Sequence, residues 1–567
     1  MTNPNHNGRR GVWLPAAAVF IIAAAIRLAH FALVRHAIIL EPRGLLDDNF
    51  YVTLARQIAA GDLSASGSIL GQPGSLPFFL PPLYAYFLGG VFRLFGPGNS
   101  APFVIQAFMG AAAAAIVCRT AQMIAGNDNP RVGLFAGLSA GLLLALDGLA
   151  VMYSSTFLAA SLDPVLAALC FHAIVSADGR GRFSDWALAG VALGLFALNR
   201  PNALLLLPAA AALPFLRRPL TGAINRRAAI AAAALLAAAA LTFAPAAIRN
   251  YVVSGHFALI SSHGGLNFYI GNRSGANGAY SPPDRITPDV RGQIVGTREW
   301  LSAELHRPVT DAEVSGLLYR RAFAEMAADP AGWLRLSAVK IRLLLSGREA
   351  GLNLALGYMR SAFSPALWAA PVGMWLLLPF GLAGAVAVRR RRPVLIVAGL
   401  AAVFGFSVWV FFISDRYRLP LHPPLAVLAG CGLAAVMEAV KGRRRGELAL
   451  YLCVLAAAGV FAAWPTGVPS GDGQMRLNHA LRLIEDGRIG EAETVAAGMP
   501  KGAMNPFYWR RQLARAFRVK GAPAAAEAEY RRLLAIDPSQ KEIACELAKM
   551  LAEQGRTEEA KKMCERL

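Results

Sequence analysis

Long apolar segments recur along most of this chain, and they restrict its fold more than any other feature. Runs such as VWLPAAAVFIIAAAIRLAHFALV and AAIAAAALLAAAALTFAPAAI approach the roughly 20 residues that an α-helix needs to cross a bilayer. Charged residues make up only 16% of the sequence, whereas soluble proteins carry about a quarter. The sequence therefore predicts an all-α integral membrane protein with many spans.

The basic residues lie mainly at the ends of these apolar segments. A net charge of +21 could suggest nucleic acid binding, but short cytoplasmic loops between spans also carry an excess of Lys and Arg. The clusters are Arg9-Arg10, Arg217-Arg218, Arg226-Arg227, Arg389 to Arg392 and Arg443 to Arg445. We therefore expect no nucleic acid partner, a multi-pass protein of the inner (plasma) membrane, and a cytoplasmic amino terminus with an uncleaved first span.

Placing the basic loops in the cytoplasm predicts about eleven spans. They cover about 12–34, 101–122, 132–148, 158–177, 185–199, 202–216, 228–248, 365–388, 393–413, 419–438 and 447–465. Two stretches, about 35–100 and 249–364, are then external. The apolar run at 78–95 lies in the first of them, so we expect a juxtamembrane helix starting at Pro81-Pro82 instead of a crossing. Residues 1–466 form the predicted membrane domain.

Residues 467–567 are predicted to form a separate domain with an internal repeat. Gly487, Gly521 and Gly555 are 34 residues apart, and alanines recur seven positions before and five positions after each glycine. A 34-residue period with small residues at the helix crossings is typical of tetratricopeptide repeats, which stack into an α-solenoid. This tail could offer a groove for a protein partner or acceptor, or it could be a structural or dimerisation module. We expect it on the periplasmic (external) side. A disulfide between Cys545 and Cys564 in the last repeat is left open.

Asp47 and Asp48 stand side by side shortly after the first span, in the stretch GLLDDNFYVTLAR. Phe50, Leu54 and Ile58 follow at helical spacing, which predicts an amphipathic helix. Asp47 could cap this helix and Asp48 could favour its positive end. Alternatively, a carboxylate at the membrane surface could accept a proton from an incoming nucleophile, or the two acids could share a divalent cation.

Motifs for several other chemistries are missing from the sequence. There is no phosphate-binding glycine loop followed by Lys-Ser/Thr, and no His-x-x-x-His or Cys-x-x-Cys pair. The sequence therefore gives no support for ATP-driven transport or for a zinc site.

The stretch DDNFYVTLAR resembles the Asp-Glu/Asp-x-x-Tyr-x-x-x-Ala-Arg segment in the first external loop of glycosyltransferase family 39 and its relatives. These are the multi-spanning GT-C enzymes, which include protein mannosyltransferases and the lipid A aminoarabinose transferase. Further stretches resemble family segments in the same order, namely PPLYAYFLGGVFRLFG (81–96), SLDPVL (161–166), LNRP (198–201), IRNYVVSGHFALISSHGGLNFYIGN (248–272) and DRYRLPLHPPLAVLAG (415–430). The resemblance covers about 12–440, and the repeat tail lies outside the best-known members.

The resemblance implies a GT-C fold and a sugar-transfer reaction. Such enzymes take a sugar from a polyprenyl phosphate and pass it, usually with inversion, to an acceptor at the outer face of the membrane. Asp47 matches the first-loop acid of the family, so it is the expected base or metal-organising residue. Asp48 occupies a position often held by Glu. A divalent metal ion is left open as a cofactor.

The leaving group of that reaction is an anionic lipid phosphate, which needs fixed positive charge at the outer membrane edge. Four arginines stand at predicted external ends of spans, namely Arg200, Arg249, Arg416 and Arg418. Each could bind phosphate oxygens or snorkel to the interface. Asp163, His263 and Asn267 are candidates for contact with the sugar, the acceptor or a metal, although the glycine-rich loop around His263 also suits a turn.

The sequence thus predicts a hexosyl- or pentosyltransferase that uses a polyprenyl-phosphate donor and a lipid, glycan or protein acceptor. One alternative is a lipid-linked oligosaccharide ligase or polymerase. Another is a transporter or flippase for lipid-linked sugars, which would be favoured by inverted repeats and broken mid-span helices that the sequence does not show. A third is a scaffold, which would not need so many spans.

Overall fold

Helices account for almost all regular structure in this chain. The computed structural model describes residues 5–44, 46–67, 76–126, 129–217, 226–283, 285–467, 471–500, 502 and 504–565, with side chains described from residue 13 to residue 563. Within these ranges there is no β-strand, only two isolated β-bridges. The predicted all-α fold class is confirmed.

Twenty-six α-helices follow one another along the described residues. In chain order they are α1 (Asn5–Val34), α2 (Asp47–Ala59), α3 (Leu83–Phe95), α4 (Ala101–Ala125), α5 (Pro130–Ala145), α6 (Gly148–Tyr153), α7 (Asp163–Arg180), α8 (Phe183–Asn199), α9 (Leu206–Ala212), α10 (Arg226–Ser254), α11 (Gly264–Asn272), α12 (Thr297–Leu305), α13 (Asp311–Ala328), α14 (Pro330–Leu344), α15 (Leu356–Ala362), α16 (Met374–Ala387), α17 (Arg392–Val410), α18 (Asp415–Arg418), α19 (His422–Lys441), α20 (Arg445–Ala463), α21 (Asp472–Glu485), α22 (Ile489–Ala497), α23 (Pro506–Val519), α24 (Pro523–Ile536), α25 (Lys541–Glu553) and α26 (Thr557–Glu565).

The chain divides into two compact units. Unit 1 consists of Met1–Arg35, Pro42–Glu349 and Ser364–Val468, and unit 2 consists of His36–Glu41, Ala350–Phe363 and Pro469–Leu567. Helix α15 and helices α21 to α26 therefore belong to unit 2, and the other helices belong to unit 1.

Six of the eleven predicted spans coincide with helical stretches that are long and apolar enough to cross a membrane. Among the described residues these stretches are Trp13–Val34, Ala101–Ala125, Arg226–Ser254, Arg392–Val410, Asp415–Lys441 and Arg445–Ala463. The other five predicted spans fall on α5, α7, α8, α9 and α16, which have 18 residues or fewer. A multi-pass membrane protein is confirmed, while the count of eleven stays a prediction.

Helices α16 and α19 of unit 1 cross at a pair of glycines. A Cβ on Gly432 would lie 2.4 Å from Gly384 Cα, and a Cβ on Gly384 would lie 2.1 Å from Leu428 O. Only glycine allows so close an approach. Lipid supplies no hydrophobic drive between helices, so close contacts of this kind stabilise membrane bundles.

Helices α2 and α3 pack together in unit 1, between the first and second predicted spans. Phe50, Leu54 and Ile58 of α2 are buried, as the amphipathic pattern predicts. A Cβ on Gly89 of α3 would lie 2.7 Å from Ile58 Cγ2, so glycine lets the two helices touch. Helix α3 has 13 residues, or about 20 Å, which is shorter than the hydrocarbon core of about 30 Å and suits the predicted juxtamembrane helix.

Unit 2 contains three consecutive helix pairs, α21 with α22, α23 with α24, and α25 with α26. Gly487, Gly521 and Gly555 follow the first helix of each pair with φ of +77°, +75° and +79°. This left-handed conformation favours glycine and explains its recurrence. The recurring alanines are all buried, namely Ala480, Ala492, Ala514, Ala526, Ala548 and Ala560. The 34-residue period therefore corresponds to one helix pair, while the tetratricopeptide assignment stays a prediction.

Two segments from elsewhere in the sequence complete unit 2. On α15, the Tyr358 backbone N–H donates to Asp472 Oδ1 (3.0 Å), and the Tyr358 hydroxyl lies 2.8 Å from His479 Nδ1. Burial lowers the pKa of His479 to about 4, so its neutral ring can accept that hydrogen bond. Neither segment carries the repeat, so this packing could not be predicted from the sequence. Cys545 of the same unit is exposed, and the side chain of Cys564 lies outside the described residues.

Candidate functional site

A pocket in unit 1 brings together side chains from six separate stretches of the sequence. It encloses about 790 Å³ of empty space, part of it open to solvent. Of the nine site residues predicted from the sequence, five line this pocket, namely Asp47, Arg200, His263, Asn267 and Arg416.

Prolines and helix ends explain why these side chains are available. Asp47 is the first residue of α2, and Arg416 lies in the single turn of α18. Helix α8 stops at Asn199 because Arg200 precedes Pro201 and adopts an extended conformation, with φ −138° and ψ 93°. Each functional group thus stands where a helix begins or ends.

Asp47 forms an ion pair with Arg416. Arg416 Nη1 donates to Asp47 Oδ2 at 2.7 Å, and the two side chains are only 12% and 16% exposed. The N-cap of α2 is Leu46, with no side-chain cap. The interpretation that Asp47 caps the helix is therefore wrong, because its carboxylate is used by a residue 369 positions away.

Arg416 keeps hydrogen-bond capacity beyond this pair. Its Nε is buried and has no partner among the described residues. The Tyr417 ring lies near both guanidinium groups, with its centroid 5.6 Å from Arg416 Cζ and 5.1 Å from Arg200 Cζ. Because a guanidinium offers five N–H donors, Arg416 can bind a second anion in the pocket.

Arg200 is held by a buried carboxylate. Its Nε lies 3.0 and 2.9 Å from the two oxygens of Asp163, and its Nη2 lies 2.6 Å from Oδ2. Asn199 Nδ2 donates to Asp163 Oδ1 at 2.8 Å. Asp163 is fully buried and does not line the pocket. Asp163 therefore holds Arg200 in place. It is not part of the pocket surface that a sugar, an acceptor or a metal would contact.

Two predicted phosphate-binding arginines lie outside the pocket. Arg249 donates to three backbone carbonyls in the segment 64–76, at 2.7 to 2.9 Å. Arg418 donates to three carbonyls in the segment 343–348, at 2.6 to 2.9 Å, and pairs with Asp415 at 2.5 Å. Both side chains hold loop backbone, a use that sequence pattern does not distinguish from phosphate binding.

Asp48 points away from Asp47 around the helix, since consecutive residues are about 100° apart. It does not line the pocket, and its Oδ1 accepts from the Asn49 backbone N–H at 2.9 Å. The described parts of the chain hold no group of three or more His, Cys, Asp or Glu residues that could bind a metal. Of the two adjacent acids, only Asp47 lines the pocket.

His263 lines the pocket as a neutral group. Its Nδ1 lies 2.9 Å from Asn267 Nδ2, which can only donate, so Nε2 carries the proton and faces Gln293 Oε1 at 3.3 Å. Burial lowers the pKa of His263 to about 4, even though the nearby Asp47 charge favours the protonated form. At neutral pH the ring is a polar but uncharged part of the wall.

The lowered pKa of His263 makes the fold sensitive to acid. Between pH 6.5 and about 4 the unfolded chain binds a proton at this ring and the folded chain does not, so stability is lost as the pH falls through this window. When the pH is lowered from 7 to 5, we expect the unfolding temperature of His263→Gln to fall less than that of the wild type. His256→Gln, at an exposed histidine, is the control and should behave as the wild type. Equal losses in the wild type and His263→Gln would contradict this assignment.

Two residues that contact the predicted site residues were not themselves predicted from the sequence. Tyr417 stands in the quoted stretch DRYRLPLHPP but has no charge to draw attention to it. Gln293, which contacts His263, lies in a segment without any motif. Only the folded chain shows that Tyr417 lies beside Arg200 and Arg416 and that Gln293 contacts His263.

The segment around Arg200 and Asp163 matches a known family. Residues 80–248 match the family described as dolichyl-phosphate-mannose-protein mannosyltransferase. The resemblance predicted from the sequence is confirmed. The matched segment contains α3, Asp163 and Arg200, whereas Asp47, His263 and Arg416 lie outside it. No curated protein matches the chain.

Solved structures of GT-C proteins are similar to this chain at low identity. The archaeal oligosaccharyltransferase AglB from Archaeoglobus fulgidus, solved with an inhibitory peptide and a dolichol-phosphate, is 15% identical with a TM-score of 0.45. The match covers 86% of this chain and 60% of AglB. ArnT from Cupriavidus metallidurans is 14% identical in the apo state, with a TM-score of 0.38 and coverage of 90% and 76%. ArnT bound to undecaprenyl phosphate is 16% identical, with a TM-score of 0.31 and coverage of 78% and 87%.

Proposed function

We propose that this chain is a membrane glycosyltransferase that moves a sugar from a polyprenyl-phosphate donor to an acceptor hydroxyl or amine, with inversion. The observation that carries this proposal is the meeting of Asp47, Arg416 and Arg200 in one pocket. The reaction needs a base for the acceptor and fixed positive charge for the leaving phosphate. The pocket offers both within one cavity, and the family match at 80–248 supports the same chemistry.

The Asp47–Arg416 pair suggests how donor binding prepares the base. While the pair is intact, Asp47 Oδ2 accepts a hydrogen bond from Arg416 Nη1. A donor phosphate that occupies Arg416 competes for the same N–H groups and weakens this hold. Asp47 Oδ2 is then released to take the proton of the acceptor. The unpartnered Nε of Arg416 is a first contact for the incoming phosphate.

The proposed transfer occurs in one displacement. The acceptor oxygen or nitrogen forms a bond to the anomeric carbon while Asp47 takes its proton. The bond between that carbon and the donor phosphate oxygen breaks, and its electron pair leaves with the phosphate. Arg416 stabilises the charge that develops there, and Arg200 adds a second positive charge fixed by Asp163. Because the enzyme uses a single displacement, the configuration at the anomeric carbon inverts.

The apolar wall of the pocket suits a lipid-linked donor. Leu80, Val408, Phe411 and Phe412 line it together with the charged groups. Helix α17 ends at Val410, so this apolar wall continues a candidate span. A polyprenyl chain could lie along such a surface while its phosphate reaches Arg416. We place the pocket at the outer face of an inner (plasma) membrane, following the positive-inside pattern.

Replacing Arg416 by Gln tests the phosphate-binding role. We expect sugar transfer to fall about 100-fold or more, which is typical for loss of one group that stabilises transition-state charge. Transfer is measured in proteoliposomes as the release of sugar-free polyprenyl phosphate from the lipid-linked sugars extracted from the native membrane. Arg445→Gln, at an exposed arginine, is the matched control and should retain full activity.

The same measurement separates the enzyme from a flippase. A flippase moves the donor across the bilayer and leaves the sugar–phosphate bond intact. Release of free polyprenyl phosphate by the wild type, lost in Arg416→Gln, supports the transferase. Movement of an intact donor without release would overturn it in favour of the flippase.

The donor sugar and the helix pairs of unit 2 can be assigned general roles in this reaction. We infer a hexose or pentose donor, since the matching family is described as dolichyl-phosphate-mannose-protein mannosyltransferase and mannose is a hexose. The three helix pairs of unit 2 are proposed to recruit a protein partner or acceptor. Proteins built from stacked helix pairs use extended concave surfaces for binding.

A further inference from the structure

A second cavity in unit 1 is lined by arginines from two loops. It encloses about 1230 Å³ of empty space, part of it open to solvent. The loop between α16 and α17 contributes Arg389, Arg390 and Arg391, and the loop between α19 and α20 contributes Arg444. Two glutamates, Glu438 and Glu447, also line it, so the lining keeps an excess of positive charge.

This cavity is separate from the candidate active site. Helix α17 begins at Arg392 beside the cavity and ends at Val410 beside the pocket of Asp47. Its 19 residues span about 28 Å, close to the thickness of a bilayer core. Helix α19 runs the opposite way between the same two places. The cavity therefore lies at the far ends of the helices that carry the pocket, beyond the reach of a donor bound at Arg416.

A buried hydroxyl without a partner lies in the cavity wall. Tyr451 of α20 is 3% exposed, and its Oη has no hydrogen-bond partner among the described residues. Its ring packs over the glycine crossing of α16 and α19, since a Cβ on Gly432 would lie 3.2 Å from Tyr451 Cε2. A buried hydroxyl of this kind loses free energy unless it finds a partner. A ligand oxygen in the cavity would supply that partner.

The arginines are only partly used by the protein. Arg389 Nη1 donates to Val386 O at 2.8 Å, and Arg391 Nη1 donates to Ile124 O at 3.0 Å. Arg444 and Glu447 are 3.6 Å apart, and both are more than 60% exposed, so this pair is weak. Arg390 has no hydrogen-bond or ion-pair partner within the described ranges. Guanidinium groups with spare donors are well suited to bind phosphate oxygens.

The α19–α20 loop has a strained backbone at Arg443, next to the cavity-lining Arg444. Arg443 has φ of +54°, a left-handed conformation that is rare for a residue with a side chain. The turn reverses the chain, and Arg444 then folds back, with its Nε 3.4 Å from the Cβ position of Gly442. Strained residues of this kind often accompany binding sites.

We propose that this cavity binds the phosphate of an anionic phospholipid of the surrounding leaflet, with Arg390, Arg444 and Tyr451 as its hydrogen-bond donors. A lipid, as opposed to free phosphate, fits because the cavity opens at the ends of apolar spans. Its wall includes Leu448 and Leu450, and α20 continues with exposed apolar side chains that can contact acyl chains. Basic pockets between spans are known to hold anionic headgroups.

Native mass spectrometry of the full-length protein tests this site. The protein is mixed with phosphatidylglycerol or with phosphatidylcholine of the same chains, and the bound lipid is counted. We expect preferential retention of phosphatidylglycerol. Arg444→Gln should weaken it about threefold or more, and Tyr451→Phe, which removes only the hydroxyl, by a similar factor. Arg445→Gln is the matched control, because Arg445 carries the same charge next to Arg444, at the first position of α20, but does not line the cavity. It should bind as the wild type.

Three outcomes would overturn the proposal. Equal retention of the two lipids would show that the cavity does not select an anionic headgroup. Equal weakening by Arg444→Gln and Arg445→Gln would show general charge attraction without a defined site. Displacement of phosphatidylglycerol by equimolar inorganic phosphate would identify a site for a free anion. The thermal unfolding midpoint of each variant is measured in the same detergent, so that misfolded protein is not counted.

Discussion

Replacing Asp47 by Asn is expected to reduce sugar transfer about 1000-fold while the protein still folds. The amide keeps the size of the carboxylate but cannot take a proton, and general bases typically contribute between about 100-fold and 10,000-fold. The Asp47 side chain is 16% exposed, and the amide oxygen of Asn can still accept a hydrogen bond from Arg416 Nη1. The unfolding midpoint should therefore change little. The measurement is release of sugar-free polyprenyl phosphate in proteoliposomes, with the thermal midpoint recorded in parallel.

Asp48→Asn is the matched control for this variant. It makes the same chemical change one residue along the same helix, but outside the pocket lining. We expect it to retain most of the activity. An Asp47→Asn variant with wild-type transfer, or an Asp48→Asn variant with the larger loss, would show that the base has been assigned to the wrong residue.

Replacing Arg200 by Gln is expected to destabilise the protein strongly. The change leaves the fully buried Asp163 carboxylate without its guanidinium, and removing one partner of a buried ion pair typically costs about 3–5 kcal/mol. We expect the thermal unfolding midpoint in detergent to fall by roughly 5 °C. Transfer should also fall, since Arg200 lines the pocket.

A double variant separates the two roles of Arg200. Arg200→Met with Asp163→Leu removes both buried charges, and such replacements are often neutral or stabilising. We expect it to recover most of the lost stability but not the transfer activity. If Arg200→Gln unfolds at the wild-type temperature, the buried pair is not a structural element. If the double variant transfers sugar normally, Arg200 has no part in the reaction.

Much of the fold could be predicted from the sequence because bilayer thickness restricts helix length and sequence pattern. The amphipathic helix after the first span was also predictable, since Phe50, Leu54 and Ile58 share one face. The glycine spacing in the tail likewise predicted where each helix pair turns. In each case a local rule of geometry acts on residues that are close in sequence.

The site was only partly predictable, because its partners are far apart in the chain. Asp47 and Arg416 were both candidates, but nothing in the sequence linked them as an ion pair. Arg249 and Arg418 carry the same charge as Arg416 and also lie near the ends of spans, yet they hold backbone carbonyls. Packing between distant elements determines which arginine lines the pocket. The short motif around each arginine therefore does not predict its role.

We propose that the Asp47 pocket transfers sugar from a polyprenyl phosphate. The most direct test is quantitative mass spectrometry of envelope glycans, glycolipids and glycoproteins from cells that lack the chain and cells that produce the wild type or Asp47→Asn at equal levels. We predict at least one species that carries an additional hexose or pentose only in cells with the wild type, together with accumulation of the lipid-linked donor in the other two strains. Identical glycan and donor profiles in the three strains would contradict the claim.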